Sequence, residues 1–298
     1  MSVNRLRLLP LILVALVAAC TPTTPGPTPP ASPAGSPAAS PSAEPEPSTG
    51  PTTEPGPTAA PAGALAVYYL ASDKGDPKLV REFHRLPVGD GSPAARTKAA
   101  VTEMLDGRTA YDPDYSSLWP ASARVRGTSV AGDTVTVDLS GAAVNGAGSL
   151  GSVQAVQQLV WTATAASGKP AVRILLDGAR VDELWGHVDT RDPLRRANAA
   201  DTLLPVWLID PQHGATVGRE FTMHLAGMVF EATVNYEIRR GSTVVKRGAV
   251  TLSAGRPAQG EAKVPVILEP GTYVIEAFEI SANDSSRQHL DNHTITVR

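Results

Sequence analysis

The apolar positions of residues 64 to 298 change their period along the chain, and the changes divide it. Leu65-Ala66-Val67-Tyr68-Tyr69-Leu70 is a continuous apolar run of strand length, followed by the polar turn Ser72 to Pro77, and predicts a buried strand. Leu79-Val80-Arg81-Glu82-Phe83-His84-Arg85-Leu86 mixes apolar with charged positions and predicts a half-exposed partner. From about Pro93 the period lengthens. Ala100, Val101, Met104 and Leu105 share one helical face, Ser92 is placed to cap the helix, Pro93 suits its first position, and Asp106-Gly107 ends it. Two further runs, 123–130 and 134–139, flank Ala131-Gly132-Asp133 and predict a hairpin, with Val135, Val137 and Leu139 on one face. A second helix is expected over 152–165, with Val153, Val156, Val160 and Ala163 inward, and a closing strand over 171–176. The order β-β-α-β-β-α-β describes a small α+β domain over residues 64–186. Residues 187–202 are charged, contain Pro193 and lack apolar periodicity, as expected of an interdomain segment. Beyond them, runs at 204–209, 220–226, 232–239, 243–252, 262–268, 271–281 and 293–298 alternate apolar and polar positions, which predicts an all-β sandwich over 203–298.

The N-terminal pattern is different. Arg5 and Arg7 precede about a dozen apolar residues starting at Leu8, the layout of a secretory signal and too short for a stable transmembrane helix. The run ends Val17-Ala18-Ala19-Cys20, which resembles a bacterial lipobox. That resemblance implies cleavage after residue 19, acylation of Cys20 with long palmitate-type chains, and an extracytoplasmic protein anchored to the cell membrane. Each buried methylene contributes about 0.8 kcal/mol, so two or three chains anchor stably where one would not. Cys20 is the only cysteine, which leaves the folded part without disulfides or thiolate metal sites.

Residues 21–63 contain 14 prolines among Thr, Ser, Ala and Gly, with Glu44, Glu46 and Glu54 their only charges. Such a tract cannot bury a core and is expected to be a disordered stalk. Fully extended in polyproline II it would reach roughly 130 Å. The whole chain carries a net charge of −3, and no basic stripe marks residues 64–298, which argues against nucleic acid as a partner.

Tyr68-Tyr69-Leu70, Leu79-Val80-Arg81-Glu82, Met104-Leu105-Asp106-Gly107, Thr136-Val137-Asp138-Leu139-Ser140, Gln158-Leu159-Val160-Trp161-Thr162 and Leu176-Asp177-Gly178, in this order, resemble the GerMN domain of sporulation, germination and actinobacterial envelope lipoproteins. Residues 203–298 resemble the immunoglobulin-like Gmad domain that often follows it. The residues that carry this second likeness are Pro211, Gly214 and Val217, Gly227 to Ala232, Tyr236 to Arg239, Gly271-Thr272-Tyr273 and Phe278-Glu279. The antibody cysteine pair is absent. The resemblance implies a binding or assembly module with no known catalytic residues.

Several patterns imitate active sites. Gly146 to Gly151 fits G-x-G-x-x-G, but the preceding strand is expected to stop near Ser140, so the glycines read as a loop and helix start; no cofactor is expected. His289-Leu290-Asp291-Asn292-His293 spaces three ligand types alternately, as a metal site on a strand would, but its place after Asn283 to Ser286 reads as a solvated loop, and no metal is expected. His187 and Asp189 read as a surface pair. Glu82, Glu103 and Asp138 are the carboxylates that a glycan-acting enzyme could pair, with Glu103 and Asp138 read as solvated. Trp161 and Trp207 fall at core positions, whereas Trp119 and Trp185 are candidate partner contacts or packing residues. Two functions follow as expectations. One is a lipid-anchored, non-catalytic envelope protein that binds proteins or cell-wall polymer. The alternative is an envelope enzyme acting on peptidoglycan or another glycan through carboxylates near the domain interface.

Overall fold

The computed structural model describes residues 63–298. Cys20, the leader and the proline-rich tract lie outside the described residues. Among the described residues no helix is long and apolar enough to cross a membrane.

The first half begins with an antiparallel pair, β1 (Leu65–Asp73) and β2 (Asp76–His84), in which Tyr69 faces Val80. Helix α1 (Pro93–Leu105) starts as the sequence dictates. Ser92 is its N-cap, the Ser92 hydroxyl accepts a hydrogen bond from the Ala95 N–H at 3.2 Å, and Thr97, Ala100, Val101, Met104 and Leu105 are buried. The hairpin β3 (Arg124–Ala131) and β4 (Thr134–Ser140) turns through Gly132 in the left-handed region, φ +55°. Helix α2 (Gly148–Ser167) then crosses over to β5 (Ala171–Leu176), which lies parallel to β4. Short strands β6 (Ala179–Arg180), β7 (Glu183–Leu184) and β8 (Val188–Asp189) follow. The sheet order is β3-β4-β5-β6, with β1-β2 and β7-β8 as separate pairs. The helices pack on each other, α1 also on β3, and α2 also on β1.

The second half comprises β9 (Val206–Asp210), β10 (Thr216–Val217), β11 (Glu220–Gly227), β12 (Thr233–Arg240), β13 (Thr243–Thr251), β14 (Gly260–Ile267), β15 (Gly271–Ile280) and β16 (Arg287–Val297). They form a five-stranded sheet, β10-β16-β15-β12-β13, and a three-stranded sheet, β14-β11-β9. Helix α3 (Ala199–Thr202) lies between the halves, and Leu194 in the same charged segment bridges to Val172.

Four local expectations are corrected. β2 is not half-exposed: Leu79 to His84 are all buried, charges included, because the second half covers its other face. Helix α2 starts a turn earlier than expected, and Val153 points outward, leaving Val156, Val160 and Ala163 as the inward residues. Glu103 is not simply solvated, since its carboxylate meets His84. His289 to His293 are not a solvated loop. β16 begins at Arg287, and Asp291 and His293 pair with Ala277 and Ile275 of β15.

The reason is visible in β9. Its alternate residues belong to two cores: Trp207 and Ile209 join the apolar cluster of the first half, and Val206 and Leu208 join the sandwich interior. A strand buried on both faces loses its polar side. Both halves therefore fall within one compact unit.

Candidate functional site

Where the halves meet, buried charges stand beside the shared apolar cluster. β2 presents Arg81, Glu82 and His84, all buried, and burying a charge is costly unless it is paired and hydrogen-bonded. Each of them has a partner. Arg81 Nη2 donates to Glu261 Oε1 of β14 at 2.7 Å, and the other oxygen of Glu261 lies 2.8 Å from His224 Nε2 of β11. Glu82 accepts from the Tyr111 N–H at 3.0 Å and the Asp112 N–H at 3.0 Å, and lies 2.8 Å from His84 Nε2. His84 Nδ1 is 3.0 Å from Glu103 Oε1, and the Tyr111 ring stacks on the imidazole at 4.3 Å. Glu82 thus fixes the loop that carries Asp112.

Asp112 is the centre of the contact. Its Oδ1 accepts from the Asp114 N–H at 2.8 Å, while Oδ2 lies 3.2 Å from His213 Nδ1 and 3.6 Å from His293 Nε2. Facing it from β16, Asp291 accepts from the Leu208 N–H at 2.7 Å and from the Tyr115 hydroxyl at 3.0 Å. Burial pushes the Asp291 carboxyl up to about 6, opposed chiefly by His293 and reinforced by Asp112. Burial also raises the Tyr115 hydroxyl well above its ordinary value, with Asp291 adding to the effect. Asp210, at the end of β9, is raised by burial too. His293 Nδ1 lies 2.7 Å from the Pro211 carbonyl oxygen. A carbonyl only accepts, so the Nδ1 proton is held there and Nε2 is turned toward Asp112. One oxygen or nitrogen from each of Asp112, Asp291 and His293 lies within 4.8 Å of the others.

The residues singled out in the sequence are only partly brought together. Glu82 and Glu103 flank His84, but Asp138 is elsewhere, accepting from the Gly178 N–H at 2.8 Å and lying 3.5 Å from Arg126. Trp119 and Trp185 pack edge to face at 4.9 Å within the first half. Their indole N–H groups donate to the Ala155 and Ala142 carbonyls, both at 2.7 Å. Trp119 also lines a groove with Asp106, Arg108 and Arg124. Trp161 and Trp207 are buried. Gly146 and Ala147 lead into α2, whose first turn holds Gly148 to Gly151, and His187 is exposed while Asp189 pairs with Arg191. Asp112, Tyr115 and His213 carry no local signal in the sequence. Their partners lie far along the chain, 176 positions in the case of Tyr115 and Asp291.

Residues 66–182 match the family model described as sporulation and spore germination, Germane. Residues 205–286 match that of the immunoglobulin-like domain of bacterial spore germination, Gmad2. No curated protein matches the chain. Among solved structures, the tandem GerMN domains of the sporulation protein GerM from Bacillus subtilis align at 18% identity and a TM-score of 0.35, over 45% of this chain and 44% of that one. The match therefore spans less than half of that structure. The first GerMN domain of the same protein aligns at 20% identity and a TM-score of 0.33, over 45% of this chain and 97% of that one. The chain thus carries a GerMN domain of the sporulation and spore-germination family, followed by an immunoglobulin-like domain of the bacterial spore-germination type.

Proposed function

We propose that this is a lipid-anchored extracytoplasmic protein of the bacterial cell envelope that binds or assembles envelope partners and catalyses no reaction. The observation that carries this reading is how the groups best suited to acid–base chemistry are used. Glu82 and His84 are buried and spend their hydrogen bonds inside the GerMN domain, on Glu103 and the loop that carries Asp112, while Asp112 and Asp291 are buried and reach across to His213 and Tyr115 of the opposite domain. A general acid or base works beside the atom it serves, and Glu82 and His84 are instead committed to protein partners, Glu82 to two backbone N–H groups and His84 to Glu82 and Glu103. The lipobox-like Val17-Ala18-Ala19-Cys20 and the proline-rich tract support a tethered head with a reach of up to roughly 130 Å. Exposed residues of the head, including the groove where Asp106, Arg108 and Arg124 stand over the buried Trp119, are then the surfaces offered to a protein or a cell-wall polymer.

Crosslinking the full-length protein in its native envelope tests the binding role. Recovery of defined envelope proteins or wall polymer is expected, and recovery of none at any crosslinker length contradicts it. Incubating the purified protein with cell-wall material should release no soluble fragments. Release that is lost in Glu82→Gln or Asp138→Asn would replace this reading with a glycan-acting enzyme. Cys20→Ala should shift the protein from the membrane to the soluble fraction or trap its precursor, and unchanged fractionation of a processed protein refutes the anchor.

A further inference from the structure

We propose that Asp112, Asp291 and His293 bind a divalent transition-metal cation that ties the GerMN domain to the last strand of the immunoglobulin-like domain. Asp112 belongs to the loop after α1, whereas Asp291 and His293 stand two residues apart on β16 and point the same way. An ion held by all three therefore bridges the halves.

One nitrogen at the site is unsatisfied. His293 is 1% exposed, and its Nε2 has no hydrogen-bond partner among the described residues. Buried polar groups rarely go without one. Nε2 is aimed at the Asp112 carboxylate, and the 3.6 Å between them is too long for a hydrogen bond. It is close to the spacing of about 3.3 Å between two donors on a tetrahedral zinc ion, given metal–ligand bonds of about 2.0–2.1 Å.

The far side of the same ring is anchored. Nδ1 is committed to the Pro211 carbonyl at 2.7 Å. A backbone carbonyl on one imidazole nitrogen is the arrangement that fixes tautomer and orientation in metal-bound histidines. The carboxylates are held in the same fashion, Asp112 by the Asp114 N–H and Asp291 by the Leu208 N–H and the Tyr115 hydroxyl. Two neighbouring carboxylates in a buried site repel each other, and a bound dication removes that penalty.

The donor set selects the ion. One imidazole and two carboxylates without thiolate suit zinc or manganese, and the imidazole disfavours calcium and magnesium, which prefer all-oxygen shells. His213 contacts Asp112 Oδ2 at 3.2 Å and is less buried than the three ligands, so it borders the side from which an ion enters. Water completes the shell.

The test uses the untagged full-length protein, solubilised in detergent and stripped with EDTA. Titration calorimetry with Zn²⁺ should show one site per chain, with a raised melting temperature, while Ca²⁺ at equal concentration changes neither. Co²⁺ should give visible absorption bands that Zn²⁺ abolishes. His293→Ala and Asp112→Asn should weaken Zn²⁺ binding at least about tenfold, and His187→Ala should leave it unchanged. Circular dichroism shows which variants fold. If neither buried variant folds, the wild-type Co²⁺ spectrum and stoichiometry decide. Failure of the folded, stripped protein to bind Zn²⁺, Mn²⁺ or Co²⁺ at tens of micromolar overturns the proposal. Undiminished binding by folded His293→Ala and Asp112→Asn does so as well.

Discussion

Glu82 shows how much one side chain can organise. Its two oxygens receive the Tyr111 and Asp112 N–H groups and face His84, so Glu82→Ala leaves three polar groups without their acceptor inside the protein. Each buried orphan costs about 1–3 kcal/mol, and a total loss of about 3 kcal/mol or more is expected by urea unfolding. A change under about 0.5 kcal/mol, the size of an ordinary surface substitution, would contradict the role assigned to it. A second carboxylate acts in the open sheet of the sandwich. Glu237 of β12 is held below the usual glutamate range, first by its hydrogen bond to Arg287 and further by Arg239. Because the folded value lies below the unfolded one, its contribution is complete above the ordinary glutamate range and is lost as pH falls through the lower folded value. Arg287→Met should therefore flatten the dependence of stability on pH below about 4.3, the unperturbed glutamate value. An unaltered acid limb in chemical unfolding would refute the pairing.

Among the elements, β9 and β16 decide how the molecule is joined. Consecutive residues of β9 serve different cores, Trp207 the first and Leu208 the second. Trp207→Ala and Leu208→Ala should each cost about 3–5 kcal/mol, but at different places. Hydrogen exchange should accelerate in β2 and α2 for the first, and in β11 and β16 for the second. Equal acceleration everywhere in both variants would mean that the two clusters are not separable. The β9 run was legible as a strand from its apolar sequence, but its second buried face was not, because a five-residue run looks the same whether one or two layers cover it. β16 is the opposite case. Its first half, with His289, Asp291 and His293, is too polar to be read as buried, and it becomes a strand because β15 supplies the ladder and the first half supplies Tyr115 and Asp112. Asp73 does the same for His289, at 2.9 Å.

At the scale of the whole molecule, the two domains share one apolar cluster and several polar contacts, among them Arg81 with Glu261, Tyr115 with Asp291 and Asp73 with His289. Backbone hydrogen bonds also cross between them, with the Leu204 N–H donating to the Leu79 carbonyl at 2.8 Å. Thermal unfolding should therefore be a single cooperative transition, coincident by circular dichroism and tryptophan fluorescence. Two resolved transitions would contradict the shared core. The sequence by itself determined the order of the longer strands and helices and the two domain types, because apolar period, caps and turn residues act over a few positions, while the short strands β6, β7, β8 and β10 and helix α3 left no such pattern. Only the tertiary structure decided that Arg81, Glu82, Asp112, Asp291 and His293 are interior groups. A charge can stay buried only if a partner arrives; Glu82 finds its partners in its own domain, whereas Arg81 takes Glu261 of the other domain, 180 positions away. No local pattern records such a meeting, so Arg81 and Glu82, which read as half-exposed, and Asp291 and His293, which read as a solvated loop, are instead interior groups of the folded protein.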